Sequence, residues 1–326
     1  MLFATLKEIQ EYIPVGAGND FNRLKPHIVS AETKYIKSLI GYDMYDALLT
    51  FRQDYPYTNP DEVELATEKL LKKVQYATIH LAYFLGFDLL NISITDAGFH
   101  RTESANTKNL YKYQEDRIRN YFAESGFNEL DSILLYLEEN ISYFGKYKNS
   151  ANWTAYKESF LPTVQSVMDI PFQIYNSRLI LLALQPHIGF VEDTVIRPVL
   201  GNTIYQQIKS EMIKDNPDET IMTIIPSIRK PLIYLAAALL MEQTGSVLGD
   251  KGLYFETTES GFHNDGSKAP ASDKNKNALI ALTRQRGMSY LEALKSFLIT
   301  AGWENYSGDS GPLFNRDNTG KKTFWT

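Results

Sequence analysis

The chain has 326 residues, which is enough for two domains that each bury a core of their own. Its 44% hydrophobic and 22% charged residues are typical of a folded globular protein and not of a disordered one. The net charge of −6 argues against a dedicated nucleic-acid binder, and the absence of cysteine excludes disulfides and thiolate metal sites.

The first half of the chain predicts a series of helices, because apolar residues recur at three-and-four spacing. We expect these helices over residues 27–40, 42–53, 61–91, 107–123 and 126–140. The first should end near Gly41, and the long third helix should start at Asn59-Pro-Asp-Glu, with Asn59 as its cap. An irregular polar loop with Gly98-Phe-His follows that helix.

The second half predicts a similar order of elements. A long helix should begin at Asn216-Pro-Asp-Glu, with a break or kink at Pro226 and Pro231 and its main segment over 231–247. Residues 232–241 are apolar almost all round, too short a run to span a bilayer, and should form the most buried helix. A short β-hairpin near 252–263 and two closing helices, near 272–286 and 288–300, complete this half.

Two aromatic-rich segments follow these halves. Residues 141–162 are rich in Asn, Ser and Lys and predict a linker, in which Trp153 and Tyr156 are candidate partner-docking residues. Residues 307–326 are too rich in Gly, Ser, Asp and Asn for a helix, but apolar residues are spaced along them. We expect an extended tail that docks on a partner through Pro312, Leu313, Phe314, Phe324 and Trp325.

The two halves contain copies of one domain. Residues 24–48 align with residues 184–208 at a constant offset of 160 and share eight identities, where chance would give about one or two. The identical residues of the first copy are Leu24, Pro26, His27, Ile28, Glu32, Ile36, Gly41 and Tyr45. Asn59-Pro-Asp-Glu and Gly98-Phe-His recur in the same order, the second as Gly261-Phe-His. The sequence therefore predicts an all-α protein of two tandem helical-bundle domains, 1–140 and 163–306, with a linker between them and a tail.

The repeated motifs contain most of the histidines, which are His27, His100, His187 and His263. A metal site would pair them with carboxylates such as Asp96 or Glu259, but the spacing of known zinc and calcium sites is missing. We therefore interpret Pro-His as the start of a helix, and the Gly-Phe-His residues Phe99, His100, Phe262 and His263 as loop anchors. Phosphate-binding and nucleophile motifs are also missing, so the sequence predicts neither an enzyme nor a cofactor.

The pattern Leu-x-Pro-His-Ile-x-x-x-Glu-x-x-x-Ile-x-x-x-x-Gly-x-x-x-Tyr, present twice, resembles a helical protein family of tailed phages and prophages of Bacteroides-like bacteria. The ending Phe314-Asn-Arg-Asp…Phe324-Trp is also similar to that group. Members are thought to act as head–tail connector, or adaptor, proteins. The resemblance covers most of the chain and implies a homo-oligomeric ring, often twelvefold, that docks on the phage portal and on other tail or ring proteins.

The resemblance further implies a place at the head–tail junction of the virion, with assembly in the host bacterial cytoplasm. DNA would be only a passing contact in the lumen, and we expect no membrane contact. Since each chain has two domains, six chains could present twelve domains and twelve chains could present 24. Two alternatives stay open: a non-viral bacterial intracellular binding protein with a ligand cleft between its duplicated domains, and a metal-dependent enzyme that uses the four repeated histidines.

Overall fold

The protein, as given by a computed structural model, divides into two compact units. The structure describes residues 1–14, 20–54, 60–96, 98–100, 110–172, 174, 177–244, 247–249, 252–254 and 273–301. The first unit comprises Met1–Ala183 with Asp250–Gly252, and the second comprises Leu184–Gly249 with Leu253–Thr326.

Helices dominate the first unit. They are α1 (Leu6–Gln10), α2 (Phe21–Ala31), α3 (Lys37–Ile40), α4 (Tyr42–Asp54), α5 (Glu62–Leu90), α6 (Lys112–Glu139), α7 (Gly145–Lys148), α8 (Ala151–Glu158) and α9 (Gln165–Met168), with strands β1 (Ser93–Thr95) and β2 (Gly98–His100) between α5 and α6. A π-helical turn, Glu32–Ile36, joins α2 to α3. The long helix α5 packs against α2 on one side and α6 on the other, and the core of the unit lies between them.

The second unit repeats this order. Its elements are α10 (Arg178–Val191), which begins in the first unit, α11 (Arg197–Leu200), α12 (Asn202–Ile213), α13 (Glu219–Met222), α14 (Ile225–Thr244), β3 (Val247–Gly249), β4 (Gly252–Tyr254) and α15 (Asp273–Thr300). A π-helical turn, Glu192–Ile196, joins α10 to α11, and α14 packs against α15. The shared order confirms the predicted all-α class and the tandem duplication of a helical domain.

Each unit has one long helix after its hairpin, α6 or α15, where the sequence predicts two helices. Both α6 and α15 have 28 residues, and Gly126 and Gly287 lie at the middle of them, where a boundary is expected. A Cβ on Gly126 would lie 2.7 Å from Leu81 Cγ, and a Cβ on Gly287 would lie 2.8 Å from the side chain of Leu235. Each glycine therefore lies inside a continuous helix, where its missing side chain lets a neighbouring helix approach closely.

A two-stranded hairpin follows α5 in the first unit and α14 in the second, with β1 paired to β2 and β3 paired to β4. The hairpin expected near 252–263 thus involves residues 247–254, and residues 255–272 lie outside the described chain. In element order the counterpart of Gly98–His100 is Gly252–Tyr254. The second Gly-Phe-His match, Gly261–His263, lies outside the described residues, and its role stays a prediction.

Residues 141–162, predicted as a linker, are part of the first unit. They contain a 3-10 turn (Ile141–Tyr143) together with α7 and α8, and they contribute Phe144, Tyr147 and Trp153 to the buried core. Burying large aromatic rings is strongly favourable, so a segment this rich in them folds onto the core when a surface is available. The first unit consequently extends to Ala183 instead of ending at residue 140.

The apolar run 232–241 lies in α14 and is buried except at Leu239, which is partly exposed, as the sequence predicts for a core helix. The predicted interruption of the helix lies at Thr223 and Ile224, just before the prolines. Pro226 then falls in the first turn of α14, where its missing N–H has no partner to lose, and Pro231 lies inside the helix.

Two other helix starts differ from the prediction. Asp61 caps α5: its side chain accepts a hydrogen bond of 2.8 Å from Glu64 N–H, and the Glu64 side chain accepts one of 3.0 Å from Asp61 N–H. This reciprocal pair takes the role predicted for Asn59, which lies outside the described residues. Pro26 and Pro186 lie inside α2 and α10 and do not begin them.

In the part of the chain that the structure describes, two helical stretches are long and apolar enough to cross a membrane, judged by length and composition alone. They are Arg178–Leu200, 33% of whose apolar window is buried, and Glu219–Gln243, 72% of whose window is buried. The second has the burial of a core helix of a globular protein. The absence of membrane contact stays a prediction.

Candidate interaction surfaces

Many of the residues that the sequence predicts to contact a partner lie outside the described part of the chain. They are Pro312, Leu313, Phe314, Phe324 and Trp325 of the tail and Phe262 and His263 of the second loop. Phe99 and His100 lie in β2, where their backbones are opposite Ile94 and Ser93 of the antiparallel strand β1. The roles of all of these residues stay predictions.

Trp153 and Tyr156, predicted to dock on a partner, are instead buried in the first unit. The Trp153 ring packs edge-on against Tyr147 and stacks on Tyr156, with 5.6 Å between ring centroids in both pairs. The Tyr156 hydroxyl donates a hydrogen bond of 2.6 Å to Glu138. Burial and this carboxylate raise the pKa of Tyr156, so the phenol remains a donor. These contacts hold α8 against the core.

The Pro-His motifs do not form an open site. His27 and His187 are partly buried, and the His27 ring packs against Gly86, where an added Cβ would lie 2.6 Å from the ring. Burial lowers the pKa of His27, which favours its neutral form. Across the residues that the structure describes, no group of three or more His, Asp or Glu side chains could hold a metal ion. The placement fits the scaffold role that the sequence predicts for His27.

The repeated Glu and Tyr form a polar pair in each unit, at the π-helical turn. Glu32 is buried and accepts hydrogen bonds from the Tyr45 hydroxyl and, at 2.6 Å, from Leu2 N–H. In the second unit Glu192 accepts a hydrogen bond of 2.5 Å from the Tyr205 hydroxyl. Although π-helical turns often occur at functional sites, both carboxylates are hydrogen-bonded within their own unit, which indicates a structural role.

A polar groove of about 510 Å³ opens on the first unit. It is lined by Glu8, Glu11, Tyr12, Arg52, Gln53, Glu68, Leu71, Lys72 and Gln75. Arg52 donates to both carboxylate oxygens of Glu8, at 2.9 and 2.8 Å, and Lys72 pairs with Glu68 at 2.5 Å. The Arg52–Glu8 pair joins α4 to α1 across the groove, whereas Lys72–Glu68 is an i,i+4 pair within α5. A charged ligand would therefore have to compete with the Arg52–Glu8 pair in order to bind.

An exposed apolar pair occurs at the same place on α6 of the first unit and on α15 of the second. On α6, Ile118 and Tyr121 are 36% and 55% exposed, and on α15, Leu279 and Leu282 are 39% and 44% exposed. Both pairs are related by an offset of 161, and residues three apart lie on one face of a helix. We call these two pairs the repeated apolar faces.

The face on α6 continues toward the start of the helix. Tyr111 and Tyr113 are 70% and 58% exposed there, and their rings stack with 5.9 Å between centroids. The sequence prediction missed this surface because it treated residues 107–123 as an ordinary bundle helix. The sequence does contain a signal for this surface. Ile118 matches Leu279 and Tyr121 matches Leu282 in the repeat, so both copies keep apolar residues at positions outside the apolar periodicity of the core face.

The fold thus defines a tandemly duplicated helical protein. The chain belongs to a family of unknown function, DUF6712, whose model matches residues 36–157 and 196–308. The two matches begin 160 residues apart, which is the offset of the internal repeat, and the first includes α7 and most of α8. Comparison with curated proteins and with solved structures found no match.

Proposed function

We propose that this protein is a structural, ring-forming connector, or adaptor, at the head–tail junction of a tailed phage. The observation that carries this proposal is the pair of repeated apolar faces, Ile118–Tyr121 and Leu279–Leu282. After a duplication, exposed positions are free to become polar in either copy. Exposed apolar side chains that occur at matching positions in both copies are expected where both faces contact a partner.

A chain with two equivalent units suits a ring. Each unit offers the same face to its neighbours, so lateral contacts can be repeated head to tail until the ring closes. Six chains would present twelve units, and twelve chains would present 24. The partners in this role are other copies of the chain, the portal, and other tail or ring proteins, and the tail supplies further contacts to the portal or to a neighbouring subunit.

The charge of the chain is consistent with this role. With a net charge of −6, a ring of these chains would repel the DNA backbone overall, which would let DNA pass without specific contact. In this proposal the protein is assembled in the host bacterial cytoplasm, is located in the virion, and has a structural and not a catalytic role.

Analytical ultracentrifugation of the purified chain, alone and with the portal protein of the same phage, tests the proposal. We expect a closed oligomer of six or twelve chains, or a complex with the portal of that stoichiometry. The variants Ile118→Asp/Tyr121→Asp and Leu279→Asp/Leu282→Asp should each raise the protein concentration needed for assembly at least tenfold. Both should keep the far-ultraviolet circular dichroism of the parent. A tenfold change corresponds to only about 1.4 kcal/mol per contact, well within the effect of burying a charge in an apolar interface.

The matched control is Asn120→Asp/Gln285→Glu, which adds negative charge to exposed positions of the same two helices outside the repeated apolar faces. This variant should assemble as the parent does. A strictly monomeric parent that ignores the portal would refute the proposal, and so would assembly that the four aspartates do not change.

A further inference from the structure

The segment after α6 covers the junction between α3 and α4 in the first unit. It folds back through α7 and α8, with α7 against α4 and α8 against α3. Phe144, Tyr147 and Trp153 of this segment are buried in the core. The first unit is therefore completed by residues that follow its last long helix.

Gly41 lies at the centre of the covered junction. It joins α3 to α4 with a φ of +82°, a conformation that favours glycine. Asn152 Oδ1 lies 3.1 Å from the position of a Cβ on Gly41, and Asn152 Nδ2 donates a hydrogen bond of 2.6 Å to Ser38 O at the end of α3. The cover thus buries Gly41 and satisfies a carbonyl that the helix end leaves free.

Among the described residues, none covers the equivalent junction of the second unit. Gly201 joins α11 to α12 with a φ of +76°, as Gly41 does in the first unit, but Gly201 is exposed. No residue in the described ranges lies within 4 Å of the position of a Cβ on Gly201. The same local backbone is therefore covered by α7 and α8 in the first unit, whereas none of the described residues covers it in the second.

The chain contains a second segment at the right distance to cover this junction. Trp153 follows the end of α6 at Glu139 by 14 residues, and Phe314 follows the end of α15 at Thr300 by 14 residues. In the first unit, a segment of 14 residues after α6 suffices to bring Trp153 back toward the junction of α3 and α4. Pro312-Leu-Phe314 is the apolar cluster of the tail at that distance, and it lies outside the described residues.

We propose that Pro312–Phe314 pack on the junction of α11 and α12 around Gly201 of the same chain, in the place that Asn152 and Trp153 take around Gly41. Pro198 and Val199, the counterparts of Ser38 and Leu39, supply apolar contacts for Phe314 there. The tail docks as an extended segment, since Gly311 and Pro312 disfavour a helix like α8. This surface does not depend on the connector role, and it leaves Phe324 and Trp325 for an external partner.

Because the chain has no native cysteine, a pair of introduced cysteines tests this contact cleanly. The test pair is Pro198→Cys/Leu313→Cys, and the matched positive control is Ser38→Cys/Asn152→Cys at the equivalent positions of the first unit. Pro198→Cys/Phe324→Cys is the negative control. The full chain is oxidised at low concentration, and products are separated under non-reducing conditions and mapped by mass spectrometry.

We expect the test pair and the positive control to form intramolecular disulfides in most molecules, and the negative control to form at least tenfold less. A covalent dimer from the test pair would overturn the proposal, because the tail would then dock on a second copy. Failure of the test pair where the positive control succeeds would also overturn it. Independently of the crosslink, Phe314→Ala should lower the melting temperature of the second unit, and Phe324→Ala should leave it unchanged.

Discussion

Arg178 donates a hydrogen bond of 2.8 Å from Nη1 to Asp131 Oδ1 in the interior of the first unit. The same nitrogen donates to Pro162 O at 2.6 Å, and the second oxygen of Asp131 accepts from Val164 N–H at 2.6 Å. One buried ion pair therefore joins α6, the segment after α8 and the start of α10. Burial raises the pKa of Asp131, and the Arg178 guanidinium offsets only part of that rise.

Arg178→Met should lower the free energy of unfolding of the first unit by about 3–5 kcal/mol, because it leaves the Asp131 carboxylate buried without its cation. The control is Arg119→Met, which breaks an exposed pair with Asp88 at 3.5 Å and should cost about 0–1 kcal/mol. Urea titration followed by circular dichroism measures both. Equal losses for the two variants would show that the buried pair has no special role.

Gly126→Ala and Gly287→Ala should each destabilise their unit by about 1–3 kcal/mol, because the new Cβ overpacks the contact with Leu81 or Leu235. Gly189→Ala is the matched control: this glycine lies in α10, is exposed, and has none of the described residues within 4 Å of an added Cβ. That variant should be neutral or gain about 0.5–1 kcal/mol from the better helix former. Thermal melts of the three variants check the contrast, which a uniform gain in stability would contradict.

The same glycines show what a single sequence predicts about this fold. Gly41 ends a periodic apolar stretch in a conformation that favours glycine, so local pattern alone identifies the helix end. Gly126 looks like a similar boundary, yet its function depends on Leu81, 45 positions away in the chain. Sequence periodicity describes one helix at a time and contains no information about which residue lies opposite.

The candidate surfaces also differ in how well the sequence predicts them. The density of aromatic residues around Trp153 suggests a docking segment, but the rings face their own core because α7 and α8 pack on the junction of α3 and α4. The repeated apolar faces, by contrast, are visible in the sequence once the offset of 161 is applied to α6 and α15. A duplicated chain thus provides an internal comparison that periodicity lacks.

Glu32→Ala should cost about 2–4 kcal/mol, because it leaves both the Leu2 N–H and the buried Tyr45 hydroxyl without an acceptor. Tyr45→Phe removes one hydrogen bond and keeps the ring, so it should cost about 0.5–1.5 kcal/mol. Glu124→Ala, at an exposed position of α6, is the control and should change stability by less than about 0.5 kcal/mol. Urea titration ranks the three, and a Glu32 variant as stable as the control would refute the structural role of the pair.

His80 is a buried histidine of α5 whose environment disfavours the charged ring. Its Nδ1 lies 2.8 Å from Tyr76 O, and its ring stacks on Tyr76 with 4.0 Å between centroids, beside Phe122 and Tyr121. Within the described chain, Nε2 is buried without a hydrogen-bond partner. Burial lowers the pKa of His80, although the Tyr76 carbonyl acts in the opposite direction.

The folded first unit should therefore lose stability as the pH falls below about 6.5, the pKa of an ordinary histidine. Below that value the unfolded chain takes up a proton that the buried ring does not, whereas above it both states are neutral and the contribution of His80 is complete. His80→Phe should flatten the decline of the urea midpoint between pH 7.5 and pH 5.5. His27→Gln, which removes a second histidine of lowered pKa, should flatten it further. A decline that is as steep in His80→Phe as in the parent would show that other groups cause it, since the phenyl ring keeps the packing against Tyr76 and has nothing to protonate.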